Sequence, residues 1–159
     1  MKRGFEIISE RQFEMDFDNE MDAKIILPRR STKKSAGYDF FAPFDIYLKP
    51  NEEIKIPTGV RSYMQDGEVL LIVPRSGLGF KYYTRLANTL GVIDSDYYYS
   101  DNEGHIWVKL RNEGTKELYI KQGEAFCQAI FMPFLLTDGD NFENGRNRNG
   151  GFGSTTVNK

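Results

Sequence analysis

The stretch Gly91-Val92-Ile93-Asp94-Ser95-Asp96-Tyr97 ends an apolar run with two carboxylates and an aromatic ring. Strand alternation puts Leu90, Val92 and Asp94 on one side, so that Asp94 and Asp96 share a face and Tyr97 points the other way. A carboxylate at a strand end can act as a general base, a metal ligand or a turn residue. Taken alone, the segment is most simply a turn, because Asp and Ser are favoured where a strand stops.

Two other clusters bear on that choice. In Pro74-Arg75-Ser76-Gly77-Leu78-Gly79 a guanidinium fork and a hydroxyl stand side by side where a strand gives way to a candidate helix. With the free amides of a helix start, they have the form of an anion site; the simpler reading is a cap at Ser76 and a solvated Arg75. The tail from Asp138 to Lys159 is rich in glycine and asparagine, carries Arg146 and Arg148, and sets Phe152 between Gly151 and Gly153. It reads either as an idle end or as a lid whose amides and arginines meet phosphate while the ring stacks on a base.

The elements that must position these residues read as β throughout. A chain of 159 residues is one domain, long enough to bury roughly 70% of its unfolded surface. Short apolar or alternating segments recur at Ile25–Leu27, Tyr38–Phe41, Asp45–Leu48, Ile54–Ile56, Val69–Val73, Leu90–Ile93, Ile106–Leu110, Leu118–Ile120 and Ala125–Phe131, with turn formers between them. The pattern predicts an all-β chain, a jelly-roll-like barrel or sandwich with one short helix over Ser76–Tyr83 and a flexible Gly-rich C-terminal arm. Residues 1–22 form an N-terminal extension, an added strand or an arm; residues 23–137 form the β domain; residues 138–159 form the mobile arm.

Composition excludes several classes of function. Cys127 is the sole cysteine; inside an apolar run it reads as a buried, inert thiol, and it makes neither a disulfide framework nor a zinc site. The formal charge of −2 argues against nucleic acid as the main partner. The start of the chain lacks the apolar core of a signal peptide and no run reaches membrane-spanning length, so the expectation is a cytoplasmic protein without a membrane partner. His105 reads as a surface or hairpin residue, and Trp107 as packing.

These residues carry a resemblance to the trimeric dUTPase family, in five short motifs that run in order from Ala36 to Thr155. They are Ala36-Gly37-Tyr38-Asp39-Phe40, then Pro74-Arg75-Ser76-Gly77-Leu78, then Asn88 with Gly91-Val92-Ile93-Asp94-Ser95-Asp96-Tyr97, then Gly123-Glu124 with Gln128, and last Gly150-Gly151-Phe152-Gly153-Ser154-Thr155. The resemblance implies hydrolysis of dUTP to dUMP and pyrophosphate, with Asp94 as the base that activates the attacking water. It implies that Arg75, Ser76, Gly77, Asn88, Gly91, Ile93, Tyr97, Gln128, Arg148, Phe152, Gly153 and Ser154 bind substrate. Asn88 is expected at uracil, Tyr97 on the deoxyribose, and Arg75 and Gln128 near phosphate. Mg²⁺ is the implied cofactor, bound by the triphosphate and touching Asp39 through water, and the implied assembly is a homotrimer with shared sites.

The sequence also departs from the family pattern. Tyr98-Tyr99-Ser100-Asp101-Asn102-Glu103 intervenes before Gly104, an insertion of about five residues; the 98–104 loop is a candidate contact for a protein partner. Asn147 stands where the tail arginine is usual, so Arg146 or the nearer Arg148 takes its place. Two alternatives accompany this reading: a dCTP deaminase-like enzyme, and a non-catalytic dUTP-binding regulatory module.

Overall fold

The computed structural model describes residues 1–18 and 22–140. Along them run β1 (Gly4–Ile7), α1 (Glu10–Asp16), β2 (Tyr38–Phe41), β3 (Ile46–Leu48), β4 (Glu53–Pro57), β5 (Val60–Tyr63), β6 (Glu68–Pro74), α2 (Ser76–Tyr82), β7 (Thr84–Leu86), β8 (Gly91–Asp94), a 3-10 helix (Ser95–Tyr99), β9 (Trp107–Asn112), β10 (Leu118–Ile120) and β11 (Ala125–Pro133). The strands pair antiparallel in four small sheets, β2-β11-β6-β8, β4-β9-β7, β1-β5 and β3-β10. This is the all-β, jelly-roll class, with two short α-helices where the sequence suggested one.

Alternation builds the core. In β3, β7 and β10 the outer residues are buried and the middle one exposed, so Ile46, Leu48, Leu118 and Ile120 meet on one face. Phe40, Phe126, Leu70, Ile72 and Leu110 close the interior from neighbouring strands. Cys127 is buried among them, and desolvation pushes its thiol well above the ordinary value, which keeps it unreactive.

Three elements differ from the sequence expectation. Ile25–Leu27 forms no strand; Pro28 follows and cannot donate to a ladder, and the segment reaches the sheet only by the bridge between Arg29 and Asp39. Ile25 instead packs so closely on Gly59 that a Cβ there would stand 2.4 Å from its Cδ1. Helix α1 is capped by Ser9, whose hydroxyl accepts from the Gln12 amide at 3.1 Å. Residues 4–16 thus pack as a strand and a helix, with β1 on β5 and Ile8, Gln12 and Phe17 buried. The third difference lies past Asp94, where β8 stops and a 3-10 helix takes over. Alternation ends there, so Asp96 is exposed in the helix and Tyr97 turns inward to 5% exposure.

Candidate active site

Strand β8 lies at the edge of its sheet, paired with β6 so that Gly91 faces Ile72 and Asp94 faces Val69. A Cβ on Gly91 would come within 3.0 Å of the Ile72 Cβ, so glycine lets the two strands approach at this point. Between β8, the end of β7 and strand β9 opens a cavity of about 370 Å³. Ile72, Leu86, Val92, Ile93 and Val108 supply its apolar lining, and Asn88, Tyr97, Trp107 and Lys109 its polar and aromatic groups. Asn88 stands in the tight turn that joins β7 to β8, where the Leu90 amide donates to the Asn88 carbonyl at 2.7 Å and Thr89 has φ 67°. A mostly apolar cavity with a single side-chain amide in its lining suits a flat heterocycle with a few hydrogen-bonding edges.

Strands β2, β11 and β6 bring a second group together. Register sets Gln128 beside Asp39 on one flank and Val73 on the other. The Gln128 amide donates to the Pro74 carbonyl at 3.2 Å, and a Cβ on Gly37 would collide with its Oε1. Arg75 follows at the end of β6, its Nε 3.1 Å from the Asp39 carboxylate and a guanidinium N–H donating to the Ala125 carbonyl at 3.2 Å. Arg75 occupies the cap position of α2 without a side-chain capping bond, and Ser76 is the first helical residue. Pro74, Arg75, Ser76, Gly79, Tyr83 and Arg85 line an open depression of about 480 Å³. It brings two guanidinium groups and a hydroxyl together; Arg75 is paired with Asp39 and the Arg85 Nε lies 2.8 Å from the Glu113 carboxylate, so an anion would meet the remaining N–H groups of each fork.

Asn88, Gly91, Ile93 and Tyr97 thus meet in one cavity, and Arg75 and Ser76 in another. Gly77 and Asp94 line neither; Asp94 follows cavity-lining Ile93 directly in the chain. Arg146, Arg148, Phe152, Gly153 and Ser154 lie outside the described residues. Trp107, read from sequence as packing, and Lys109, given no role there, are both cavity residues. Their spacing of two on one strand gave the signal, but only the pairing of β9 with β7 reveals which face they share.

The 98–104 loop folds back on Tyr97. The Tyr97 hydroxyl donates to the His105 carbonyl at 2.8 Å, while the Asn102 side-chain amide donates to that hydroxyl at 2.9 Å. His105 is fully buried, a correction to the surface position that its sequence setting suggested. Its Nε2 accepts from the Gly59 amide at 2.8 Å, which leaves Nδ1 to carry the proton toward Asp16 at 2.6 Å. Burial holds the imidazole below its ordinary pKa and outweighs the opposing pull of Asp16, so the pair is a hydrogen bond to a neutral ring.

Comparison with known proteins bears on this geometry. A family model described as dUTPase matches residues 23–156. The deoxyuridine 5'-triphosphate nucleotidohydrolase of Lactococcus lactis subsp. lactis is 44% identical over 154 residues, covering 96% of this chain and 97% of that protein. The crystal structure of the dUTPase from Streptococcus mutans superposes with a TM-score of 0.68 at 39% identity, over 86% of this chain and 99% of that one. A mutant dUTPase from phage phi11 of S. aureus, described as coordinating a structural Mg(II) ion, shares the fold at 21% identity, with a TM-score of 0.65 over 90% of this chain and 99% of its own.

Proposed function

Because the chain belongs to the dUTPase family, we propose that its two depressions are the two halves of a dUTP site that closes between subunits. The reaction is hydrolysis of dUTP to dUMP and pyrophosphate. Removal of dUTP keeps uracil out of DNA, and the dUMP formed is a thymidylate precursor. The observation that carries the residue assignment is the cavity at β8, which gathers Asn88, Gly91, Ile93 and Tyr97 beside Asp94.

Uracil enters the cavity and pairs with Asn88 and with backbone groups of Gly91 and Ile93. Thymine adds a methyl and cytosine exchanges a carbonyl for an amine, and each leaves a clash or an unpaired group. Tyr97 covers the deoxyribose and excludes a 2′-hydroxyl. Asp94 takes a proton from water as the water oxygen bonds to the α-phosphorus. The bond from that phosphorus to the bridging oxygen then breaks, and pyrophosphate leaves with the electron pair. Arg75, Ser76, Gly77 and Gln128 receive the triphosphate, and the Arg75 guanidinium offsets the charge that grows on the leaving group. Arg148, Phe152, Gly153 and Ser154 form the closing arm over the nucleotide.

Among the described residues no three His, Cys, Asp or Glu side chains group closely enough to hold a metal ion. The Asp39 carboxylate is engaged by Arg75. This donor set fits Mg²⁺ carried by the triphosphate with its own waters, Asp39 meeting those waters from the protein side. Bound Mg²⁺ would neutralise phosphate charge and hold the triphosphate in one bend.

Two observations support a homotrimer with shared sites. The cavity and the Arg75 depression have no lining residue in common. Beyond β11, Phe134, Leu135 and Leu136 are exposed, apolar surface that a neighbouring subunit would cover. Contact with another protein at the 98–104 loop falls to Tyr99 and Asp101, because Tyr98 and Glu103 are engaged by the N-terminal segment. No helix among the described residues is long and apolar enough to cross a membrane; the setting we propose is the cytoplasm.

Incubation with Mg²⁺ and, separately, dUTP, dCTP, dTTP or UTP, followed by phosphorus resonance, tests the assignment. Pyrophosphate from dUTP alone is expected. Formation of dUTP from dCTP, tracked by the change in base ultraviolet absorbance, would assign the chain to deamination, and tight dUTP binding without product would make it a regulatory binding module.

A further inference from the structure

Tyr97 lines the cavity and is fixed through its hydroxyl. Its hydroxyl is held by the His105 carbonyl and by the Asn102 amide, and the same amide nitrogen reaches the His105 carbonyl at 3.3 Å. At the other end of that amide, Asn102 Oδ1 accepts from the Gly104 N–H at 3.2 Å. Gly104 has φ 70°, and a Cβ there would stand 2.7 Å from the Tyr97 carbonyl oxygen and from the Tyr98 Cα. Only glycine allows the loop to close this tightly on the backbone of the tyrosine it braces.

Between them, Glu103 has φ 58°, a left-handed conformation that non-glycine residues seldom adopt. Helix α1 holds it there. The Ser9 amide and hydroxyl both donate to the Glu103 carboxylate, at 3.0 and 2.6 Å, and Asp16 at the other end of α1 takes the His105 ring. The cap and the last turn of one helix thus grip the two residues that flank Gly104.

We propose that Asn102 is a positioning residue for Tyr97, and that α1 holds the loop that carries it, so that the N-terminal segment contributes to sugar discrimination. The inference rests on the reading of Tyr97 as the residue that covers the deoxyribose. A ring that excludes one hydroxyl must not yield, since displacements of about 1 Å are enough to change rates greatly. A side chain built on a turn is held to that tolerance by the contacts behind it.

The test compares kcat/KM for dUTP and UTP in the full chain. Asn102→Ala lowers the preference for dUTP about fivefold, the scale of one neutral hydrogen bond, chiefly through a gain in kcat/KM for UTP as the ring yields to the 2′-hydroxyl, with kcat for dUTP retained. Tyr97→Phe produces a similar loss, and in the Tyr97→Phe background Asn102→Ala costs less than it does alone, because the hydroxyl it braces is gone. An unchanged preference in Asn102→Ala overturns the proposal, as do losses that simply add in the double variant. If Asn102→Ala fails to fold, Tyr97→Phe decides alone, and an unchanged preference there is equally fatal. Tyr97→Ala separates the two layers of inference. Should it leave the preference intact, the sugar assignment itself falls; should it lower the preference while Asn102→Ala does not, only the bracing falls.

Discussion

Asp94 is the last residue of β8 and, with φ −80° and ψ 157°, the extended residue from which the 3-10 helix departs. Its backbone is thereby fixed by the ladder to Val69 on one side and by the helix on the other. A general base gains from such placement, because its work depends on distance to one water oxygen. Replacement by asparagine keeps the shape and removes the proton acceptor. Asp94→Asn is therefore expected to lower kcat by about a thousandfold while a non-hydrolysable dUTP analogue still binds. Turnover kept intact alongside collapsed analogue affinity would turn Asp94 into a binding residue.

At the scale of elements, the junction between α1 and the inserted loop depends on a neutral imidazole. His105 must present an unprotonated Nε2 to the Gly59 amide, and burial lowers its pKa from the ordinary 6.5. As pH falls through 6.5 the unfolded chain takes up a proton that the folded chain refuses, so stability is lost with acid across the window between the folded value and 6.5. Below the folded value the loss levels off. Urea denaturation at pH 7.5, 6.5 and 5.5 is expected to show midpoints that fall with pH in the wild type and are flatter in His105→Gln. Equal slopes in both would remove His105 from the account. How much of this was legible in sequence depends on range. The alternating β3, β9 and β10, and helix α2 after Pro74, were readable because their signals are local. Helix α1 offered only the capping residue Ser9 ahead of seven residues too short to show a period. The burial of His105 was not readable at all, since its partners Asp16 and Gly59 are 89 and 46 residues away. The site divides in the same way: Asn88, Gly91, Ile93 and Tyr97 lie close in sequence, whereas Trp107 and Lys109 join them only through strand pairing.

At the scale of the whole molecule, the described residues present two depressions that share no lining residue, which we read as half-sites, and an exposed apolar end. Sedimentation is expected to give about three times the mass of one chain, and a monomer with full activity would require both half-sites to be rebuilt within one subunit. Removal of the residues after Asn144 is expected to leave the thermal midpoint of the β domain unchanged and to cut kcat steeply. A truncated chain that turns over at the full rate would strip the arm of its role.

The grip between α1 and the inserted loop also sets a rule for making hybrids of related enzymes. Ser9 and Glu103 stand 94 residues apart, yet each secures the other's conformation. A chimera that receives the loop without residues 4–16 inherits a left-handed Glu103 with its anchor missing, and one that receives only the helix inherits Ser9 with no Glu103 carboxylate to meet. The two stretches form a single exchangeable module, and crossovers that separate them are expected to fail where a double crossover succeeds.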